Sequence, residues 1–583
     1  MVRHFIACIG ILLGFQAPAW GHIVMDMVHH NPGEAPTRSA YLDPGYLSNI
    51  GYDAKVFFLF DAAQFGIDWN DFDPGIFESG TPAAEWVQVH ADSITAGYDA
   101  AKKAGLDVYC MLDMLVLPRT LVEKRSDLIT DSDGKIDISR PYTQLCIRHM
   151  IRSIFERFPQ LDGLVIRTGE TYLHDAPYHV GNHPVRRGMD DHITLINLLR
   201  DEVCDRLDKR LIYRTWDMGQ LHTIPHHYLA VTDSIEPHDN LYFSIKHTAT
   251  DFWRMGIQAD SPSVDTFDTY WLDESGKYGM PFNPCLGKGR HKQIVEVQCQ
   301  REYEGKGAHP NYVAHGVIDG YSELGSQPGL KSLSDLDATG MLHGVWTWSR
   351  GGGWGGPYIP NEFWIDLNAR VMAMWANNPS LTEEECFNRV ALAKGVPADK
   401  LADFRRLCLL TEDGVLKGQY STYGGTYVNW TRDDSMTGDA FTGSYIDAIV
   451  RNGDADKYIA EKDEAVETWR EIERLAAAIG LPDEADNEFV KVSATYGRIK
   501  YEILATAWRM MVRDRENRLT GREIDREAMK RDAERYNELW QEWQALKDAH
   551  QCCPTLYRGV SDFFGHDVGL NATVTAISRR HQK

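Results

Sequence analysis

Short runs of apolar residues recur through the first two thirds of the chain, and each breaks into polar side chains at its C-terminal end. A run that is apolar on both faces reads as a strand covered on both sides, as in a parallel sheet wrapped by helices. There are eight: Ile23–Val28 (IVMDMV), Lys55–Phe60 (KVFFLF), Asp107–Leu115 (DVYCMLDML), Leu164–Ile166, Arg210–Asp217 (RLIYRTWD), Asn240–His247 (NLYFSIKH), Gln293–Gln300 (QIVEVQCQ) and Gly344–Ser349 (GVWTWS). Glu85–Lys103, Tyr142–Phe158 and His192–Leu207 carry their apolar positions at helical spacing, and the first closes on Gly105, a helix stop. Eight strands alternating with helices predict a (β/α)8 TIM barrel over residues 22–360. An open doubly wound sheet would carry a glycine phosphate loop after its first strand, and none is there.

The pattern changes after Asn361. Glu385–Lys394, Leu401–Leu410, Lys457–Ile479, Asn487–Asp514 and Ile524–His550 all read as amphipathic helices, so residues 361–583 form an α-helical C-terminal domain. Its Trp508, Met510, Met511, Trp540 and Trp543 fall at helical spacings and belong to a core or to an interface, the surface through which a homodimer would form. Residues 1–21 have the parts of a secretory signal: Arg3, an apolar run from Phe5 to Phe15, and the small-x-small site Ala17-Pro18-Ala19. A secreted or periplasmic protein with no membrane span is expected, because that run is too short to cross a bilayer.

The net charge of −23 disfavours nucleic acid and anionic membranes as partners, since both need a concentrated basic surface. The cysteines are scattered, with no disulfide framework and no C-x-x-C site; Cys285 and Cys299 could pair after export. Asp68-Trp69-Asn70-Asp71-Phe72-Asp73 and Asp131-Ser132-Asp133-Gly134 lack the full calcium-loop ligand series and read as turns. No metal and no cofactor is expected.

In a β/α-barrel the chemistry sits where the strands end. The polar exits gather His29, His30 and Asn31 after strand one, Asp113 after three, Arg167 and Glu170 after four, and Arg214 and Asp217 after five. Lys246 and Asp251 follow strand six, Glu302 strand seven, and Trp348 and Arg350 strand eight. Carboxylates beside bases and aromatic rings suit glycosidic cleavage, which needs a proton donor on one side and a base or nucleophile on the other. Flat rings supply apolar faces for sugars. The expected partner is an oligosaccharide or polysaccharide fragment, and the 249–292 stretch, rich in Gly, Pro and Asp, reads as a functional loop.

The order Arg-Thr-Gly-Glu after strand four, Tyr213-Arg214-Thr215 on strand five, Lys246-x4-Asp251-Phe252 after strand six and Gln300-Arg301-Glu302-Tyr303 after strand seven resembles the xylan α-glucuronidases of glycoside hydrolase family 67. The tail Trp375-Ala376-Asn377-Asn378-Pro379-Ser380-Leu381-Thr382-Glu383-Glu384 resembles the start of that family's helical region. The resemblance implies an inverting, exo-acting hydrolase that removes a uronic acid from an oligosaccharide. By it, Glu170 matches the general acid, and Asp251 with Glu302 the pair that activates water. Arg214 and Lys246 match residues that bind the uronate carboxylate, and Arg167 stands near a family lysine. His30, Asn31, Trp348 and Arg350 complete the expected substrate-binding set. Two other readings keep the barrel: a retaining glycosidase using Glu170 and Glu302 on a neutral sugar, and a secreted carbohydrate-binding barrel without catalysis.

Overall fold

The structure, a computed structural model, describes residues 22–29, 38–58, 62–169, 171, 173, 176–216, 220–248, 252, 254, 282–302, 304–325, 329–351, 359–421, 439–554, 562–563, 566–567 and 569–581. Eight strands, all paired in parallel, close into a barrel. They are β1 (Ile23–Val28), β2 (Ala54–Phe57), β3 (Asp107–Asp113), β4 (Gly163–Arg167), β5 (Arg210–Arg214), β6 (Leu241–Lys246), β7 (Lys292–Gln298) and β8 (Leu342–Arg350). Each expected run coincides with a strand, and several strands stop short of the expected end. In β5, for instance, Thr215 still donates its N–H to the Ser244 carbonyl at 3.1 Å, but the strand itself ends at Arg214.

Alternation sorts the side chains into two layers. Met25, Met27, Tyr109, Met111, Val165, Ile212, Tyr242, Ile294 and Trp346 fill the barrel's interior, while Leu164, Ile166, Leu211, Phe243 and Val295 join the larger core outside it. Around the barrel lie α1 (Pro82–Lys103), α2 (Pro141–Arg157), α3 (Met189–Leu199) and, after the last strand, α4 (Phe363–Asn377). The first is capped by the Thr81 hydroxyl. Helix α4 packs on β8 and β1, so the outer ring is completed beyond residue 360.

Where the barrel closes, Asp26 on the outward face of β1 accepts bonds from Thr347 Oγ1 (2.6 Å), Ser349 N (3.1 Å) and Ser349 Oγ (2.8 Å) of β8. Burial pushes this carboxyl up to about 7 against those hydrogen bonds. Gly351 leaves β8 with φ +91°, and a Cβ there would lie 1.4 Å from the His29 carbonyl oxygen, so only glycine lets the two strand exits pass.

The C-terminal region is helical: α5 (Glu383–Ala393), α6 (Leu401–Gln419), α7 (Asp439–Arg451), α8 (Ala455–Ile479), α9 (Glu484–Thr520) and α10 (Arg526–Ala549). Gly414 and Gly418, one turn apart on α6, admit the stacked rings of Trp469 and Tyr501, whose centroids are 4.6 Å apart. Trp508, Met510 and Met511 are buried in this core, and Trp540 and Trp543 pack on it partly exposed. Asp68 and Asp131 close turns, accepting from Asn70 N at 3.0 Å and from Asp133 N and Lys135 N at 2.9 Å each. Among the described residues every cysteine is a free thiol. Cys285 and Cys299 are both buried free thiols and are not paired with each other. No helix among the described residues is long and apolar enough to cross a membrane.

Candidate active site

The strand-end residues that face inward follow from the same alternation: β4 turns Val165 and then Arg167 into the barrel, β5 Ile212 and Arg214, and β6 Tyr242, Ser244 and Lys246. Trp346 and Trp348 of β8 complete an aromatic wall. Arg167, Arg214, Lys246 and Trp348, all expected in the site, therefore converge on one end of the barrel.

Arg214 is held by a partner that the strand-end pattern does not single out. Its Nε and Nη2 donate to Glu296 Oε1 and Oε2 at 2.8 and 2.7 Å, and Ser244 Oγ also donates to that carboxylate. The guanidinium carbon lies 5.1 Å from the Trp348 ring centroid and 5.5 Å from that of Trp346. Nη1 is left as the nitrogen not bonded to Glu296. Lys246 Nζ sits 3.7 Å over Trp216, 4.9 Å from Phe252 and 5.8 Å from Trp348, an aromatic surround that stabilises a cation. Arg167 donates Nη1 to both oxygens of Asp113, at 3.1 and 3.2 Å, so β3 balances its charge.

His222 lies against these groups, its Nδ1 2.8 Å from Thr215 Oγ1. Burial lowers its pKa well below the ordinary imidazole value, and the positive charges of Lys246 and Arg214 lower it further, so the ring stays neutral. His29 stacks on Trp348 at 5.2 Å and 11° and meets Phe58 at 4.2 Å. Arg350 bonds Glu362 Oε1 at 3.0 Å and the Ile359 carbonyl, tying the chain beyond β8 to the approach to α4.

Glu302, just past β7, is gripped by Gln298. Gln298 Nε2 donates to Glu302 Oε2 at 3.0 Å, and Gln298 Oε1 accepts from the Glu302 N–H. The residue before Glu170 is Gly169, at φ +111°, where a Cβ would stand 3.2 Å from Trp216 Cδ1 and from the Trp216 carbonyl oxygen. Thr168 Oγ1 donates to that carbonyl at 2.6 Å, which pins the exit of β4 to Trp216. Glu170 and Asp251, with His30, Asn31 and Asp217, lie outside the described residues.

Glu296, Gln298 and Trp216 are neighbours of the candidate residues that the strand-end pattern misses, although the inward Glu296 within an apolar strand signals a buried partner. What the arrangement offers is a floor of aromatic rings carrying Lys246 and the Glu296-paired Arg214, with Glu302 held by Gln298.

No family model and no curated protein matches the chain, so the resemblance to glycoside hydrolase family 67 rests on its short motifs. Among solved structures the chain is similar to a GH138 enzyme targeting pectin rhamnogalacturonan II. That likeness has a TM-score of 0.55 at 11% identity, covering 97% of this chain and 83% of that one. At this identity it establishes the fold, helical region included. An O-GlcNAc hydrolase mutant of Thermobaculum terrenum aligns at 8% identity over 96% of this chain and 94% of that one, with a TM-score of 0.39.

Proposed function

We propose that the chain is an exo-acting glycoside hydrolase that removes a terminal uronic acid from an oligosaccharide with inversion, and that it acts outside the cytoplasm. The observation that carries this reading is the pair of inward cations, Arg214 and Lys246, set against Trp216, Trp346 and Trp348 at the catalytic end of a barrel. Sugar rings stack on such walls. One uronate carboxylate is received by Lys246 and by Arg214 Nη1, the latter as a hydrogen-bond donor whose charge Glu296 already balances.

In this reading Glu170 gives its proton to the glycosidic oxygen as the bond to the anomeric carbon breaks. Asp251 and Glu302 take a proton from water, whose oxygen bonds the anomeric carbon from the opposite face. Gln298 keeps the Glu302 carboxylate aimed, and Asp113 compensates Arg167, which would otherwise hold a neighbouring acid ionised.

Proton NMR of the first-formed product tests the mechanism, with rhamnogalacturonan and xylan fragments capped by uronic acid as substrates. The wild type should release the uronic acid as the anomer opposite to the linkage. Glu302→Gln should cut kcat by about 10²–10⁴-fold with KM little changed. First release of the retained anomer would overturn inversion in favour of a double displacement by Glu170 and Glu302.

A further inference from the structure

Two arginines that take no part in the mechanism above lie on the links between the chain beyond β6 and β7 and the helical region, Arg254 directly and Arg301 through Glu304. Arg254 donates Nε and Nη2 to Glu323 at 3.0 Å each and Nη1 to the Glu412 carbonyl of α6 at 2.6 Å, with its guanidinium carbon 4.2 Å from the Tyr321 ring centroid. Arg301 donates Nε and Nη2 to Glu304 at 2.8 and 2.6 Å. Glu304 also accepts from Tyr420 Oη, just past α6, at 2.9 Å and from Asn311 Nδ2 at 3.2 Å. Burial would raise the Glu304 carboxyl, but Arg301 and then Arg254 outweigh it and hold it at about 2, so the two pairs act on each other as one network. Arg254 is 2% and Arg301 1% exposed, and their partners are Glu323, the Glu412 carbonyl and Glu304.

The backbone is strained at the same two places. Phe252 (φ +63°) and Arg301 (φ +60°) are two of four described non-glycine residues with positive φ. One adjoins Asp251 and the other Glu302. Such conformations persist only where the surroundings over-determine them, and they cluster at functional sites. Phe252 also packs 5.2 Å from Trp348 and 4.9 Å from Lys246 Nζ, so the strained residue is part of the site's floor.

We propose that Arg254 and Arg301 are positioning residues through which the helical region holds the chain at Phe252 and at Glu302. The inference rests on the reading of Asp251, which precedes Phe252 in the chain, and Glu302 as the water-activating pair. It makes the helical region the rigid back of the site, because the Glu412 carbonyl of α6 and Tyr420 just past it receive the two links.

The test pairs kinetics with hydrogen–deuterium exchange in the full-length protein. Arg254→Gln/Glu323→Gln removes both charges together, so no buried ion is left alone. It should lower kcat at least tenfold with KM within about threefold of wild type, and speed exchange in the peptide spanning 248–254 at least tenfold. Tyr420→Phe, a gentler change, should lower kcat about fivefold, again with KM held. The control Arg509→Gln/Asp532→Asn breaks an ion pair between α9 and α10 that touches neither loop, and should leave kcat within about twofold. Unchanged exchange in the first variant overturns the anchoring, whatever the kinetics. Faster exchange with kcat unchanged, or an equal loss of kcat in the control, overturns the positioning role. A wild type that cleaves no glycoside overturns the functional reading instead, and the exchange rates alone then decide whether the anchor exists.

Discussion

Arg214 and Glu296 face each other inside the barrel with 2% and 1% of their side chains exposed, so neither charge has water to fall back on. A buried pair of this kind is weakly stabilising as a pair and costly to break, because the survivor stays buried and unpaired. Arg214→Ala should therefore lower the free energy of unfolding in urea by about 3–5 kcal/mol, whereas Arg214→Met/Glu296→Met should lie within about 1–2 kcal/mol of wild type. If the single and double variants are equally destabilised, the cost comes from lost packing and the pair is not what holds the floor. The same geometry explains the division between what the sequence reveals and what it hides. Arg214 and Lys246 are visible as polar exits from apolar strands. Glu296 is not, because it lies mid-strand, one alternation below the end, where a sequence pattern offers the charge but not its partner. Arg167 illustrates the opposite case: plain in the sequence, its role becomes readable only with Asp113 of the neighbouring strand beside it.

Elements are legible where burial on both sides forces a continuous apolar run, as in LVI of β4 and IVMDMV of β1. Helix starts are legible where caps are local: the Thr382–Glu385 box opens α5, with Glu385 N on Thr382 Oγ1 at 3.2 Å and Thr382 N on Glu385 Oε2 at 2.8 Å. Strand ends are less so, since the exit is decided by contacts such as that of Gly351 with the His29 carbonyl. Asp26 is the polar exception within β1, and it gives the closure of the barrel a pH dependence. Its folded pKa of about 7 exceeds the unfolded carboxylate value, so the folded state binds the proton more tightly. Stability from this group is full below the unfolded pKa and falls as pH rises through about 7, by on the order of 4 kcal/mol at about 1.4 kcal/mol per unit. Thermal unfolding should show wild type losing more stability than Asp26→Asn between pH 5 and pH 8, with the variant the more stable of the two at pH 8. Parallel profiles would mean that Asp26 is ionised throughout.

For the whole molecule, the change of period near Asn361 marks the end of the barrel strands, while the outer ring runs on through α4. How the barrel meets the helical region is hidden, because the contacts that join them are between residues far apart in the chain, such as Arg254 with Glu412 and Glu304 with Tyr420. Those buried contacts tie the helical region to the chain beyond β6 and β7, and α4 binds it further through Trp364 Nε1 on Ser493 Oγ at 2.9 Å. The central claim is that the inward cations select a uronic acid. Its direct measurement is kcat/KM of the wild type and of Lys246→Met for one uronate-capped oligosaccharide and for the same molecule with its carboxyl reduced to the alcohol. A site built to pair a charge should prefer the uronate by about 100-fold or more, and Lys246→Met should bring that preference below about tenfold by slowing the uronate alone. Equal turnover of the two substrates, or a preference that survives Lys246→Met unchanged, would contradict the account.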